Sequence, residues 1–140
     1  MRRFFAGLAI LQVLAVVAQF FLAASGAFAT ASNDESFQTH RMLGAGIVLL
    51  AVLVTVVAAV ARMPGRLIGM SGLVAGLAVL QAVIRVIAAA FDDAGGSTTA
   101  GELVFGLHAV GGLAIMAVAM TIVRQARRMS GPGTPVRPAP

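Results

Sequence analysis

The stretch His40-Arg41-Met42-Leu43-Gly44-Ala45-Gly46-Ile47 recurs as His108-Ala109-Val110-Gly111-Gly112-Leu113-Ala114-Ile115, both of the form His-x3-Gly-x2-Ile. These are the two histidines of the chain, so each copy carries half of its imidazole ligands. Residues i, i+4 and i+7 share one face of a helix, which puts a glycine one turn and an isoleucine two turns beyond each ring. The pattern predicts a shallow apolar slot beside each imidazole.

The repeat continues outward. Leu8-Ala9-Ile10-Leu11-Gln12 matches Leu77-Ala78-Val79-Leu80-Gln81, and Ser32-x-x-Glu35 matches Thr99-x-x-Glu102. Gln12 with Gln81, Glu35 with Glu102 and His40 with His108 stand at nearly constant separation, which predicts two copies of one helical hairpin. Apolar membrane helices resemble one another by composition alone, so the polar landmarks carry this expectation.

With 59% apolar and 11% charged residues and a mean hydropathy of +0.97, the composition is that of an integral membrane protein. A spanning helix needs about 20 apolar residues. Four stretches qualify, at about 4–24, 42–61, 67–90 and 103–123. The expected fold is all-α, a transmembrane four-helix bundle over residues 1–128, with a Pro- and Gly-rich disordered tail at 129–140. Cysteine is absent, which excludes disulfides and thiolate-ligated clusters.

The excess of basic residues is sorted by loop, which points away from nucleic acid and toward a bilayer. Arg2, Arg3, Arg62, Arg66, Arg124, Arg127, Arg128 and Arg137 fall on one side of a four-span arrangement, and all five acids on the other. By the positive-inside rule both termini are cytoplasmic, in the cell membrane. Met1-Arg2-Arg3 before an apolar run ending in Ala27-Phe28-Ala29 also has the layout of a secretory signal, but its core exceeds the usual 7–15 or so residues. A retained span is expected. Reporter fusions at Pro140 and near Gly96 test this: the first should report cytoplasm and the second the exterior, and a translocated C-terminus refutes the even number of spans.

Polar residues inside the spans are the informative ones. Gln12 and Gln19 share a face of the first span and are expected to bond neighbouring helices. Ser32-x-x-Glu35 and Thr99-x-x-Glu102 have capping-box spacing and would open the second and fourth helices, placing both histidines near the outer interface. Arg41 reads either as an interfacial anchor or as a ligand contact. Arg85, about 7–8 Å inside the outer end of the third span, would either reach outward to Asp92 or Asp93 or bind a ligand. Gly69, Gly72 and Gly76 form a small-residue stripe opposite Gln81 and Arg85, suited to close helix contact in the bundle or with a partner membrane protein or second copy.

Two hairpins related by an axis along the membrane normal would set His40 and His108 at equal depth across that axis. Imidazoles so placed can ligate one haem iron axially, with Gly44 and Gly112 leaving room for the macrocycle and Arg41 and Arg85 binding its propionates. Zinc would lack two ligands. No Ser-His-Asp order, H-E-x-x-H or phosphate loop is present, so nothing points to hydrolysis. The competing expectation is a cofactor-free scaffold or accessory subunit, its histidines serving only as helix-to-helix bonds.

Gln38-Thr39-His40-Arg41-Met42-Leu43-Gly44, Gln81 and Leu107-His108 resemble one four-helix half of the heme A synthase family. The chain is also similar to small uncharacterised four-span membrane proteins of actinobacterial type. The heme A synthase resemblance spans residues 4–125 and implies a haem site on the outer side, with His40 and His108 as ligands. That family has two bundles where this chain has one, and Phe37 stands where it has a carboxylate, Glu35 lying two positions further back. What carries over is the iron site of a b-type haem, serving electron transfer, haem carrying or sensing, rather than methyl hydroxylation.

Overall fold

The computed structural model describes residues 1–91 and 98–130. Among the described residues there are five helices: α1 (Arg2–Ala27), the one-turn α2 (Asn33–Ser36), α3 (Gln38–Val60), α4 (Gly65–Ala89) and α5 (Thr99–Ser130). The four long ones are apolar enough to cross a membrane, and the chain is an all-α, multi-pass membrane protein. Among the described residues α1 and α4 each pack against both α3 and α5. The diagonal pairs α1–α4 and α3–α5 make no close backbone approach. This square, up-down-up-down arrangement follows from the short connections.

Most of the buried residues of the long helices repeat at alternating spacings of four and three. They are Phe5, Ala9, Gln12 and Val16 on α1; Ile47, Ala51, Val54 and Ala58 on α3; Leu67, Ser71, Val74 and Ala78 on α4; and Ile115, Ala119, Ile122 and Ala126 on α5. That mean period of 3.5 keeps one seam of each helix on the bundle axis. The opposite faces carry exposed Leu, Val and Phe, which a bilayer would solvate.

Extending the seams toward the α2 end names the next two layers: Gln19 and Ala23, Gly44 and His40, Gln81 and Arg85, Gly112 and His108. Small or polar residues thus replace the aliphatic ones at every core position there. The bundle is closely packed at the end bearing the termini and opens at the other.

The helix ends correct several expectations. Ser32 Oγ accepts from Glu35 N–H at 3.4 Å, but the helix it caps is α2, and α3 starts afterwards at Gln38. At α5 the cap is Thr98, one residue before the expected Thr99: its hydroxyl accepts from Gly101 N–H at 3.2 Å. α5 also runs through Ser130, so the basic segment 124–128 is helical and 129–130 belong to the helix rather than to a tail. Ala126 is buried, and Gln125 Nε2 reaches Met70 Sδ at 3.9 Å. Residues 131–140 lie outside the described residues.

Between α3 and α4, Arg62 adopts φ 50°, while its N–H bonds Ala59 O at 3.0 Å and Met63 N–H bonds Ala58 O at 2.9 Å. This is a Schellman ending with arginine at the left-handed position that glycine usually takes. Met63 then packs back into the core. The glycine stripe of α4 stays out of the bundle: a Cβ at Gly69 or Gly76 would meet nothing, and one at Gly72 only Thr55 at 3.9 Å.

Candidate cofactor site

The small and polar layers enclose a cavity of about 890 Å³ between the four helices at the α2 end. That lies inside the range of about 300–1,000 Å³ usual for small-molecule and cofactor sites. His40, His108, Gly44, Gly112, Arg41 and Arg85, the six residues singled out in the sequence, all line it. α3 and α5 are diagonal partners, so their histidines meet across the cavity, ring centroids 6.2 Å apart and planes at 48°.

Both imidazoles are tethered alike. His40 Nδ1 lies 3.2 Å from Gln19 O, and His108 Nδ1 lies 3.2 Å from Gln81 O. A carbonyl oxygen can only accept, so Nδ1 carries the proton on each neutral ring and Nε2 holds the lone pair. A histidine on the second helix of each hairpin thus donates to a glutamine backbone carbonyl on the first. The intervals are 21 residues in one hairpin and 27 in the other.

This geometry corrects the sequence match between the halves. Gln81 is equivalent to Gln19, seven residues beyond Gln12. Gln12 instead points its Nε2 at Ile47 O at 3.5 Å, and the same layer of the second hairpin holds Val74. Aromatic rings flank the pair: Phe105 stacks on His108 at 5.2 Å and 8°, and Phe37 meets His40 edge-on at 6.0 Å and 88°. The reading of the sequence did not single out Phe105, whose only signal is an aromatic one turn before a histidine.

The arginines differ. Arg41 donates to the backbone carbonyl of Asp34 and pairs with its carboxylate at 3.6 Å, a tie across the α2–α3 corner at the cavity wall. Arg85 is exposed at the cavity wall and has no ion-pair or hydrogen-bond partner among the described residues. Asp92 and Asp93, its expected outward partners, lie outside the described residues.

The glycines admit side chains from neighbouring helices. A Cβ at Gly44 would sit 3.1 Å from Gln19 Nε2, and one at Gly112 would sit 3.3 Å from the Phe20 ring. Gly111, which carries no signal in the sequence beyond its place beside Gly112, is tighter still: a Cβ there would collide with Gln81 Nε2. Among the described residues three side-chain oxygens, Oε1 of Gln12, Gln19 and Gln81, are buried without a partner, a costly state. Two of them belong to residues lining this cavity.

A family model described as a family of unknown function (DUF6220) matches residues 19–90, just over half of the chain. The chain belongs to the DUF6220 family. The matched segment opens at Gln19, takes in His40, Gly44, Gln81 and Arg85, and ends at Ala90, before the α5 histidine. No curated protein and no solved structure matches this DUF6220 chain.

The donor set discriminates among metals. No group of three or more His, Cys, Asp or Glu side chains among the described residues is disposed around a common metal position, so a zinc or other ion needing about four protein ligands is poorly served. A porphyrin brings its own four nitrogens and asks the protein only for the axial pair.

Proposed function

We propose that this membrane protein binds one b-type haem between α3 and α5, at the end of the bundle bearing α2, with His40 and His108 as axial ligands. What carries the proposal is the paired tether: each ring gives its Nδ1 proton to a backbone carbonyl at 3.2 Å, the arrangement that fixes the tautomer and orientation of metal-ligating histidines. The meeting of the two rings across one cavity and the resemblance to half of a heme A synthase support the same reading. Bound there, haem would supply one-electron or ligand-exchange chemistry, suiting electron transfer, haem carrying or sensing. The chain's own residues would orient the iron ligands, and Arg85 would hold an anionic propionate. With both termini cytoplasmic in the cell membrane, the site opens toward the outer face.

Protein purified in detergent from haem-supplied cells should carry one haem per chain, with a Soret band and the sharp reduced spectrum of a six-coordinate iron. Arg85→Ala should weaken haem retention about tenfold, the scale of one charge-assisted hydrogen bond, without altering the ligand spectrum. Arg41→Ala should do less, since that side chain is committed to Asp34. Folded but colourless protein would refute the proposal and leave a cofactor-free scaffold or accessory subunit.

A further inference from the structure

The two half-sites are alike in their tethers and unlike in the fate of Nε2. The Gln19 amide donates to His40 O at 2.9 Å and to His40 Nε2 at 3.1 Å, while His40 Nδ1 bonds the Gln19 backbone. One residue therefore clasps the whole His40 ring, and its NH₂ has the two hydrogens this requires. His108 Nε2 has no such cap among the described residues, because the equivalent Gln81 amide lies against the backbone of α5 at Gly111. The α3 position equivalent to Gly111 is Leu43, and in that half the glutamine amide lies over the histidine ring instead. The two repeats thus leave one imidazole nitrogen capped and the other without a cap among the described residues.

We infer that Gln19 is an internal competitor for His40, which makes His108 the constant iron ligand and His40 the exchangeable one. One coordination position is then open to a small neutral ligand. The inference rests on the haem reading for its iron, but the asymmetry belongs to the protein alone and can be measured without haem. One neutral hydrogen bond contributes a net 0.5–1.5 kcal/mol, so each effect below is expected to be about two- to tenfold.

The haem-free arm uses diethyl pyrocarbonate, which acylates unprotonated imidazole nitrogens, on the full chain in detergent, with each histidine followed by peptide mass spectrometry. His108 should react faster than His40. Gln19→Leu should bring His40 up to the His108 rate and leave His108 unchanged, while Gly111→Leu, whose side chain would displace the Gln81 amide, should slow His108. Equal rates in the unaltered protein, or a His40 rate indifferent to Gln19→Leu, overturn the inference.

The haem-loaded arm titrates the reduced protein with carbon monoxide. The unaltered protein should bind it, and Gln19→Leu should weaken binding, because an uncapped His40 competes better for the iron. Six-coordinate haem that takes up no carbon monoxide, or takes it up equally in both proteins, overturns the inference and leaves the haem site standing. Protein that binds no haem overturns both.

Discussion

His108→Ala is expected to abolish haem binding by this DUF6220 protein, while His40→Ala is expected to retain haem in a five-coordinate, high-spin form. The difference follows from the ligand-free geometry. Among the described residues nothing caps His108 Nε2, whereas His40 must first leave Gln19. Partners that only orient a metal ligand are worth about 10–100-fold in affinity, and removing the ligand itself should cost more. Haemin titration with the absorption spectrum as readout checks both variants, and far-UV circular dichroism confirms that the bundle persists. Because alanine leaves the imidazole's space empty, millimolar imidazole should restore a six-coordinate spectrum to His40→Ala. Six-coordinate spectra in both variants would place the iron on other residues.

Phe5→Ala is expected to be the most damaging truncation among the apolar residues, at about 2–3 kcal/mol, and Phe21→Ala to change stability by less than about 0.5 kcal/mol. Phe5 is fully buried at the tightly packed end, while Phe21 is 70% exposed on the outer face of the same helix. In water both would gain from burial. In a bilayer the lipid is as apolar as the core, so only the packing and cavity part of the usual Phe→Ala loss of about 3–5 kcal/mol survives, and only where the ring fills a void between helices. Unfolding in mixed micelles with increasing dodecyl sulfate, followed by circular dichroism, measures both. Equal losses would mean that the seam through Phe5, Ala9, Gln12 and Val16 does not face the bundle axis.

The errors in reading the sequence share a cause. Leu8–Gln12 was matched to Leu77–Gln81 on four aliphatic letters and a glutamine, but aliphatic residues on lipid-facing helices are interchangeable and carry no register. The register lies in what Gln19 and Gln81 do for the imidazoles. The capping boxes failed similarly: Ser32 does accept from Glu35, yet it caps a single extra turn, because the chain inserts α2 before the bundle helix begins. That turn also brings Asp34 back to Arg41, giving one of the two cations at the cavity a partner within the chain. Gly111 stood beside Gly112 in plain view. Its role was hidden because it depends on a side chain from another helix.

Hydropathy, the sorting of arginine from acid and the recurrence of His-x3-Gly-x2-Ile are properties of single helices or of their order. From these the sequence alone determined four apolar spans and an all-α bundle, and pointed to the pair of histidines as the polar focus. Tertiary structure decided what lies between helices: the diagonal placement of α3 and α5, the 6.2 Å between rings, the cavity left where small and polar residues occupy the seam, and the unequal partners of His40 and His108. The physical reason is that periodicity states which face of a helix is buried, whereas the residue it meets depends on axial register. In a membrane that register is set by close packing and by the few polar groups that must find partners, one pair at a time.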